Sequence, residues 1–265
     1  MFDSYKRDIT YLRVSVTDKC NLRCVYCMPA DGVPPRKHSD FLSLEEIASV
    51  VRASTELGFR KVRLTGGEPL VKKGIVDLVG MIKSIPAVQV LGMTTNGVLL
   101  ETFAEDLRRA GLDSVNISLD TLDPDRYRAV TRGGDIRCTL EGIEAAVSVG
   151  FAVKINTVVM EDTPAEDIDA LNDFCRSKAL SLQLINHYSL TREKLDRYRF
   201  DRPPDCRTCN RIRLTADGYL KPCLHSNLEI PVDRNNIVQS LRETVSAKPE
   251  RGMTCTNRSM MEIGG

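Results

Sequence analysis

The chain has almost no charge of one sign to spare. Its 37 Lys and Arg nearly cancel its 36 Asp and Glu, leaving a formal net charge of +1 over 265 residues. No global field draws it to nucleic acid or to an anionic membrane, although local cationic clusters stay open. A long apolar run is missing too. The longest uncharged stretch, Ser84 to Leu100, contains Pro86, Gln89, Asn96 and two threonines, so it reads as strand and turn rather than a bilayer span. The opening MFDSYKRDITYL carries charges where a secretion signal needs apolar residues. Internal repeats, low-complexity tracts and long flexible linkers are absent. Together these absences lead to an expectation of a cytoplasmic globular protein. A hydrophobic fraction of 42% is enough for one large domain, or a domain with a small appendage.

What is present is cysteine, nine in all, three of them crowded into TDKCNLRCVYCMP at Cys20, Cys24 and Cys27. Cytosolic thiols are kept reduced, so metal or redox chemistry explains them better than a disulfide framework. Three thiolates spaced C-x3-C-x2-C can hold three irons of a 4Fe-4S cluster and leave the fourth open to a small molecule. A tetrahedral zinc site normally wants a fourth Cys or His nearby, and the loop has none.

Strand-like and helix-like segments alternate. Strands are expected at 11–17, 61–66, 88–96, 114–120, 151–160 and 181–189. Between them, SLEEIASVVRASTEL opens with a capping box, Ser43 and Glu46, and CTLEGIEAAVSVG stops at Gly150. Further helices are expected after Lys73, Glu101, Pro124 and Pro164. Six β/α units predict an α/β fold, a partial (β/α)6 TIM-like barrel, with a flat doubly wound sheet as the alternative. The boundary is expected near residue 190, with the barrel over 1–190 and a cluster-bearing extension over 191–265 whose few apolar residues make no independent core.

Facing within the strands adds a site. Leu12, Val14 and Val16 alternate with Arg13, Ser15 and Thr17, and Val62 and Leu64 with Lys61, Arg63 and Thr65. With the apolar sides toward the helices, Arg13, Lys61, Arg63 and Lys154 point into the barrel, where an unpaired cation is costly. Either a polyanionic ligand or an internal network with Asp120 or Glu68 satisfies them. Farther on, CRTCNRIRLTADGYLKPC presents Cys206, Cys209 and Cys223, a thiolate knuckle followed by a hairpin turning at Asp217-Gly218. Zinc ribbons usually close with a second C-x-x-C, absent here.

CNLRCVYCMP resembles the signature of radical S-adenosylmethionine enzymes, and TGGEP at 65–69 resembles that family's second motif. TTN at 94–96 and SLD at 118–120 match positions where relatives contact the cofactor. The second cysteine segment and the terminal EIGG are similar to the MoaA family of GTP 3',8-cyclases of molybdenum cofactor biosynthesis. The resemblance implies two 4Fe-4S clusters, on Cys20, Cys24 and Cys27 and on Cys206, Cys209 and Cys223, together with S-adenosylmethionine. It implies cofactor contacts from Gly66, Gly67, Glu68, Thr95, Asn96 and Ser118. It implies a GTP substrate held by Arg13, Lys61, Arg63, Lys154, Arg211 and Arg213, and a catalytic role for Arg13 with the Gly264-Gly265 tail. An electron donor such as flavodoxin or ferredoxin follows, and a homodimer is admitted; no nucleic acid and no membrane is expected as partner.

Two departures from that pattern keep other functions open. Gln183 stands where the cyclases typically carry a phosphate-binding arginine on the sixth strand, and only 22 residues separate it from Cys206 where the family has a longer segment. A MoaA-like enzyme acting on a peptide or another nucleotide, and a non-catalytic metal- or nucleotide-binding protein, are the alternatives. His187 reads as a lining residue, Cys138 and Cys175 as small core residues, Cys255 as a spectator thiol, and His225 as a remote candidate for a fourth cluster ligand.

Overall fold

In this computed structural model all residues are described except 33–35, 196–197, 201–202, 204 and 265. Alternation along the first strand sets the two faces of the sheet. β1 (Tyr11–Ser15) buries Leu12 and Val14 completely among the helices and leaves Tyr11, Arg13 and Ser15 on the other face. β2 (Lys61–Thr65) pairs with it in parallel, with Arg13 opposite Arg63 and Ser15 opposite Thr65, so the polar residues of both strands share one face. β3 (Val90–Thr95), β4 (Ser114–Ser118), β5 (Ala152–Val159) and β6 (Ser181–Asn186) continue the parallel series. The connecting helices are α1 (Leu44–Glu56), α2 (Ile75–Lys83), α3 (Leu100–Arg109), α4 (Pro124–Thr131), α5 (Ile136–Ser148) and α6 (Ala165–Ser177).

The helix boundaries follow from local chemistry. Ser43 and Glu46 form the expected capping box at α1, and the α5 helix gives way to Gly150 in the left-handed region, φ 77°. The sixth strand is shorter than its apolar run suggests. His187 still donates its backbone N–H to Val159, after which the chain leaves the sheet.

Residues beyond 190 extend the same sheet. β7 (Arg211–Leu214) lies parallel to β1 on the side away from β2, with Arg213 opposite Arg13. β8 (Tyr219–Lys221) returns antiparallel through the Asp217-Gly218 turn, where Gly218 takes φ 86°, and β9 (Ile230–Pro231) closes the edge. The order is β6-β5-β4-β3-β2-β1-β7-β8-β9, an open sheet in which β1 to β6 form a partial (β/α)6 barrel. α7 (Ile237–Ser246) sends Leu241 and Val245 into the common core, and α8 (Met260–Ile263) is the last helix, followed by Gly264.

The segment after β6, shorter than in the family it resembles, is stitched down at two points. Leu190 accepts a hydrogen bond from the Cys255 N–H at 2.7 Å, and the Lys194 N–H donates to Met253 at 3.2 Å. Cys255 is fully buried with Leu190 and Ile263. Cys175 is buried on α6 and Cys138 half-buried on α5. No described helix is long and apolar enough to cross a membrane.

Helix α5 meets the α3 entrance at a glycine. A Cβ on Gly142 would overlap the Gly97 carbonyl and come within 3.1 Å of Leu100. Gly142→Ala should therefore lower stability by about 1–3 kcal/mol through overpacking, read as a lower denaturation midpoint with an unchanged slope.

Candidate functional site

Each cysteine trio belongs to a different end of the β1–β7 pair. Cys20, Cys24 and Cys27 lie in the loop beyond the finish of β1. Cys206 and Cys209 precede the start of β7, which runs parallel to β1, and the antiparallel β8 brings Cys223 back to that same end. The inner face of the strands spans the distance between them. Among the described residues no three His, Cys, Asp or Glu side chains converge in the manner of a mononuclear metal site. A four-iron cluster takes its thiolates at its corners, so its ligands stand wider apart than those of one ion.

At the first end, Cys20, Cys24 and Cys27 line one cavity with Thr65, Gly66, Gly67, Thr95, Asn96 and Ser118. The two glycines are required by the chain itself. A Cβ on Gly67 would overlap the Lys19 carbonyl, and one on Gly66, at φ 152°, would press on Thr17, so the cysteine loop rests directly on this turn. Glu68 is 1% exposed and accepts from the Leu70 N–H at 3.0 Å, the Thr95 hydroxyl at 2.8 Å and the Asn96 N–H at 2.7 Å. Burial pushes its carboxyl up to about 7 against those three donors. Asn96 in turn donates to Asn21 at 2.7 Å and approaches the Cys20 sulfur at 3.8 Å.

Tyr26 and Asn156 complete this cavity, and Asp120 stands behind Tyr26. The Tyr26 hydroxyl, between two cysteines, donates to Asp120 at 2.7 Å, and burial raises the Asp120 carboxyl to about 6. Asn156 lies opposite Gln183 and Ser118 with its Oδ1 buried and lacking a hydrogen-bond partner among the described residues. Burial and the nearby Asp120 push the Cys24 thiol up to about 12, and burial and Cys20 do the same for Cys27. Such thiols ionise only when a cation arrives to offset the charge. An orphaned polar atom, a ring of backbone and hydroxyl groups and three thiols in one cavity fit a polar cofactor on an iron-sulfur cluster. His187, exposed beyond β6, meets Tyr26 edge-on at 6.5 Å.

Cations occupy the inner face between the ends. Tyr11 is their hub: its hydroxyl accepts from Arg63 Nε at 3.2 Å, and its ring carries Lys61 at 5.0 Å and Arg211 at 5.5 Å. Although burial opposes ionisation of Tyr11, Arg13, Arg63, Arg211 and Lys61 bring its hydroxyl down to about 8. The Arg13 guanidinium is itself pushed down by burial and by Arg213, Arg211 and Arg63. Gly92 leaves the space that the Arg63 guanidinium fills on its way to the Met93 carbonyl, 2.9 Å. Lys61 is exposed at the strand start, and Lys154 shares the inner face on β5, three strands from Arg63.

The C-terminal tail enters this cationic face. Gly264, at φ 74°, turns its carbonyl to accept from both Arg213 and Arg13, and a Cβ there would overlap Thr65. Gly265 lies outside the described residues. An ion-pair network holds the tail's approach: Arg258 joins Glu229 at 2.8 Å and Asp217 at 2.6 Å, while Arg36 joins Asp217 at 2.8 Å and Glu262 at 2.6 Å. At the far end His225 is 3% exposed, stacked at a tilt on Tyr188 at 5.2 Å, with neither ring nitrogen partnered among the described residues. Burial, Lys194 and Arg213 lower its imidazole to about 4.

Residues 14–175 match the model of the radical SAM superfamily. The GTP 3',8-cyclase of Alkaliphilus metalliredigens is 40% identical over 320 aligned positions, covering all of both chains. This chain belongs to the GTP 3',8-cyclase family of radical SAM enzymes. The cyclase of Petrotoga mobilis is 41% identical over 87% of this chain and 85% of its own length. Because 320 aligned positions exceed the 265 residues present, this family member is a shortened one. In fold, Streptococcus suis SuiB bound to S-adenosylmethionine superposes with a TM-score of 0.69 at 16% identity, over 91% of this chain and 64% of that one.

The tail network has a direct readout. Arg258→Ala removes charge-assisted bonds to two carboxylates and should speed amide hydrogen exchange of residues 259–264 at least about tenfold, with β1–β4 unaffected.

Proposed function

We propose that the protein cyclises GTP to its 3',8-cyclo nucleotide, and the observation that carries this reading is the cationic face gathered around Tyr11. Arg13, Lys61, Arg63, Arg211 and Arg213 stand on three adjacent strands in register, where their mutual repulsion favours a polyanionic ligand. A triphosphate offsets that repulsion with charge-assisted hydrogen bonds.

In this reading Cys20, Cys24 and Cys27 hold one 4Fe-4S cluster, and Cys206, Cys209 and Cys223 a second. When bound, the first cluster and S-adenosylmethionine would supply one-electron radical chemistry, and the second cluster would supply a Lewis-acidic iron for the substrate. The chain's own residues aim the fragments. Gly66, Gly67, Thr95, Asn96 and Ser118 receive the cofactor, and Glu68 accepts from its ammonium group. Arg13, Arg63, Arg211 and Arg213 receive the phosphates with Lys61 and Lys154 at the periphery, and the Gly264-Gly265 tail works beside Arg13. The extension over 191–265 acts as the cluster-bearing unit. A cytoplasmic setting, an electron donor such as flavodoxin or ferredoxin, and a homodimer belong to the same reading.

A redirected substrate is the second reading, favoured by Gln183. It lies on β6 opposite Asn156, and a neutral amide there gives phosphate one anchor fewer.

Anaerobic protein incubated with S-adenosylmethionine, dithionite and GTP should yield a GTP isomer together with 5'-deoxyadenosine by mass spectrometry. Appearance of 5'-deoxyadenosine with GTP unchanged would transfer the case to another substrate. Cys24→Ala should abolish cofactor cleavage, whereas Cys209→Ala should keep some unproductive cleavage and form no cyclised product. Cofactor binding should weaken with acid as well. Because the Glu68 carboxyl is raised to about 7, it is ionised above that pH and protonated below it, so affinity for the cofactor should fall as pH drops through about 7. Glu68→Gln should bind weakly at every pH and lose that dependence, checked by equilibrium dialysis.

A further inference from the structure

Two buried ammonium groups sit on the sulfurs of the second trio. Lys248, just past α7 and 3% exposed, donates to the Arg211 carbonyl at 2.8 Å, the Pro222 carbonyl at 2.8 Å and the Cys209 sulfur at 3.4 Å. Those three acceptors match its three N–H groups, and they tie together Cys209, the first residue of β7 and the residue before Cys223. Lys194, 8% exposed, brings its ammonium to 3.0 Å from the Cys206 sulfur. Its backbone is held in place, the N–H by Met253 and the carbonyl by Arg251 Nη2 at 2.8 Å.

The first trio has a different setting. The Cys20 sulfur is met by the neutral donors Leu22 N–H at 3.4 Å and Asn96 Nδ2 at 3.8 Å, the Arg23 guanidinium donates to the Cys20 carbonyl at 2.7 Å rather than to the sulfur, and a carboxylate, Asp120, stands near Cys24.

We propose that Lys248 and Lys194 are positioning residues of the second cluster, fixing the spacing of Cys209, Cys223 and Cys206 and raising that cluster's reduction potential above that of the first. The inference rests on reading the second trio as a cluster site. The physical reason is charge. Reduction adds one electron to a cluster, and a hydrogen-bonded ammonium at its thiolate stabilises the reduced form more than the oxidised one. Lys194 comes from the short segment between β6 and β7, so the shortened part of the chain contributes directly to the second site.

The test is a dithionite potentiometric titration of the full reconstituted chain, each cluster followed by its electron paramagnetic resonance signal. In Lys248→Met the second cluster's one-electron reduction equilibrium should fall about tenfold or more, about 59 mV toward negative potential, with the first cluster unmoved. Lys194→Met should move the same signal in the same direction, and Lys248→Arg, which keeps the charge, should restore most of the shift. A second signal unmoved in both Met variants, at the full complement of about eight irons per chain, would overturn the proposal. If Lys248→Met fails to hold its iron, Lys194→Met decides at the same readout. Wild-type protein with about four irons and one signal would instead overturn the two-cluster reading beneath it.

Discussion

Crowding of like charge on the inner face of β2, β1 and β7 is the constraint around which the rest is built. Arg63, Arg13 and Arg213 occupy directly opposed positions on three parallel strands, and such a row is unfavourable unless something intervenes. Tyr11 intervenes first, offering a hydroxyl to Arg63 and a ring face to Lys61 and Arg211. The Gly264 carbonyl intervenes second, capping Arg13 and Arg213. Neither carries a full negative charge. The face thus stays electropositive while each guanidinium remains oriented, which is what an anion-binding surface needs before its ligand arrives.

Much of this was legible in the residues. Period-two alternation in YLRVSVT and KVRLT separates the core face from the cationic face, because one-residue spacing in a strand has a single geometric meaning. The Ser43-Glu46 box and the Asp217-Gly218 turn are local chemistry and appear as read. Both cysteine spacings announced themselves, since ligand spacing on a short loop is a local property.

What stayed hidden is long-range. Nothing in RIRL says that it will lie beside the first strand, and hence that Arg213 will oppose Arg13. Tyr11 reads as one more strand aromatic, and its role appears only when three strands converge on it. Lys248 and Lys194 are separated from the cysteines they touch by 39 and 12 residues in sequence, and lysines near chain turns ordinarily face water. The glycines of TGGEP gave a partial reading: their need for space is real, but the backbone that approaches them is that of Thr17 and Lys19.

The parallel pairing of β1 with β7 also orders the protein's birth. A strand at the start of the chain sits mid-sheet, and one of its two hydrogen-bonding edges awaits a partner about 200 residues downstream. During synthesis β1 through β6 can assemble while that edge stays bare, an exposed template for pairing with another chain. Closing so large a loop is slow, and its entropy is repaid only when β7 docks. The last quarter or so of the polypeptide therefore acts as an intramolecular cover for the nascent barrel.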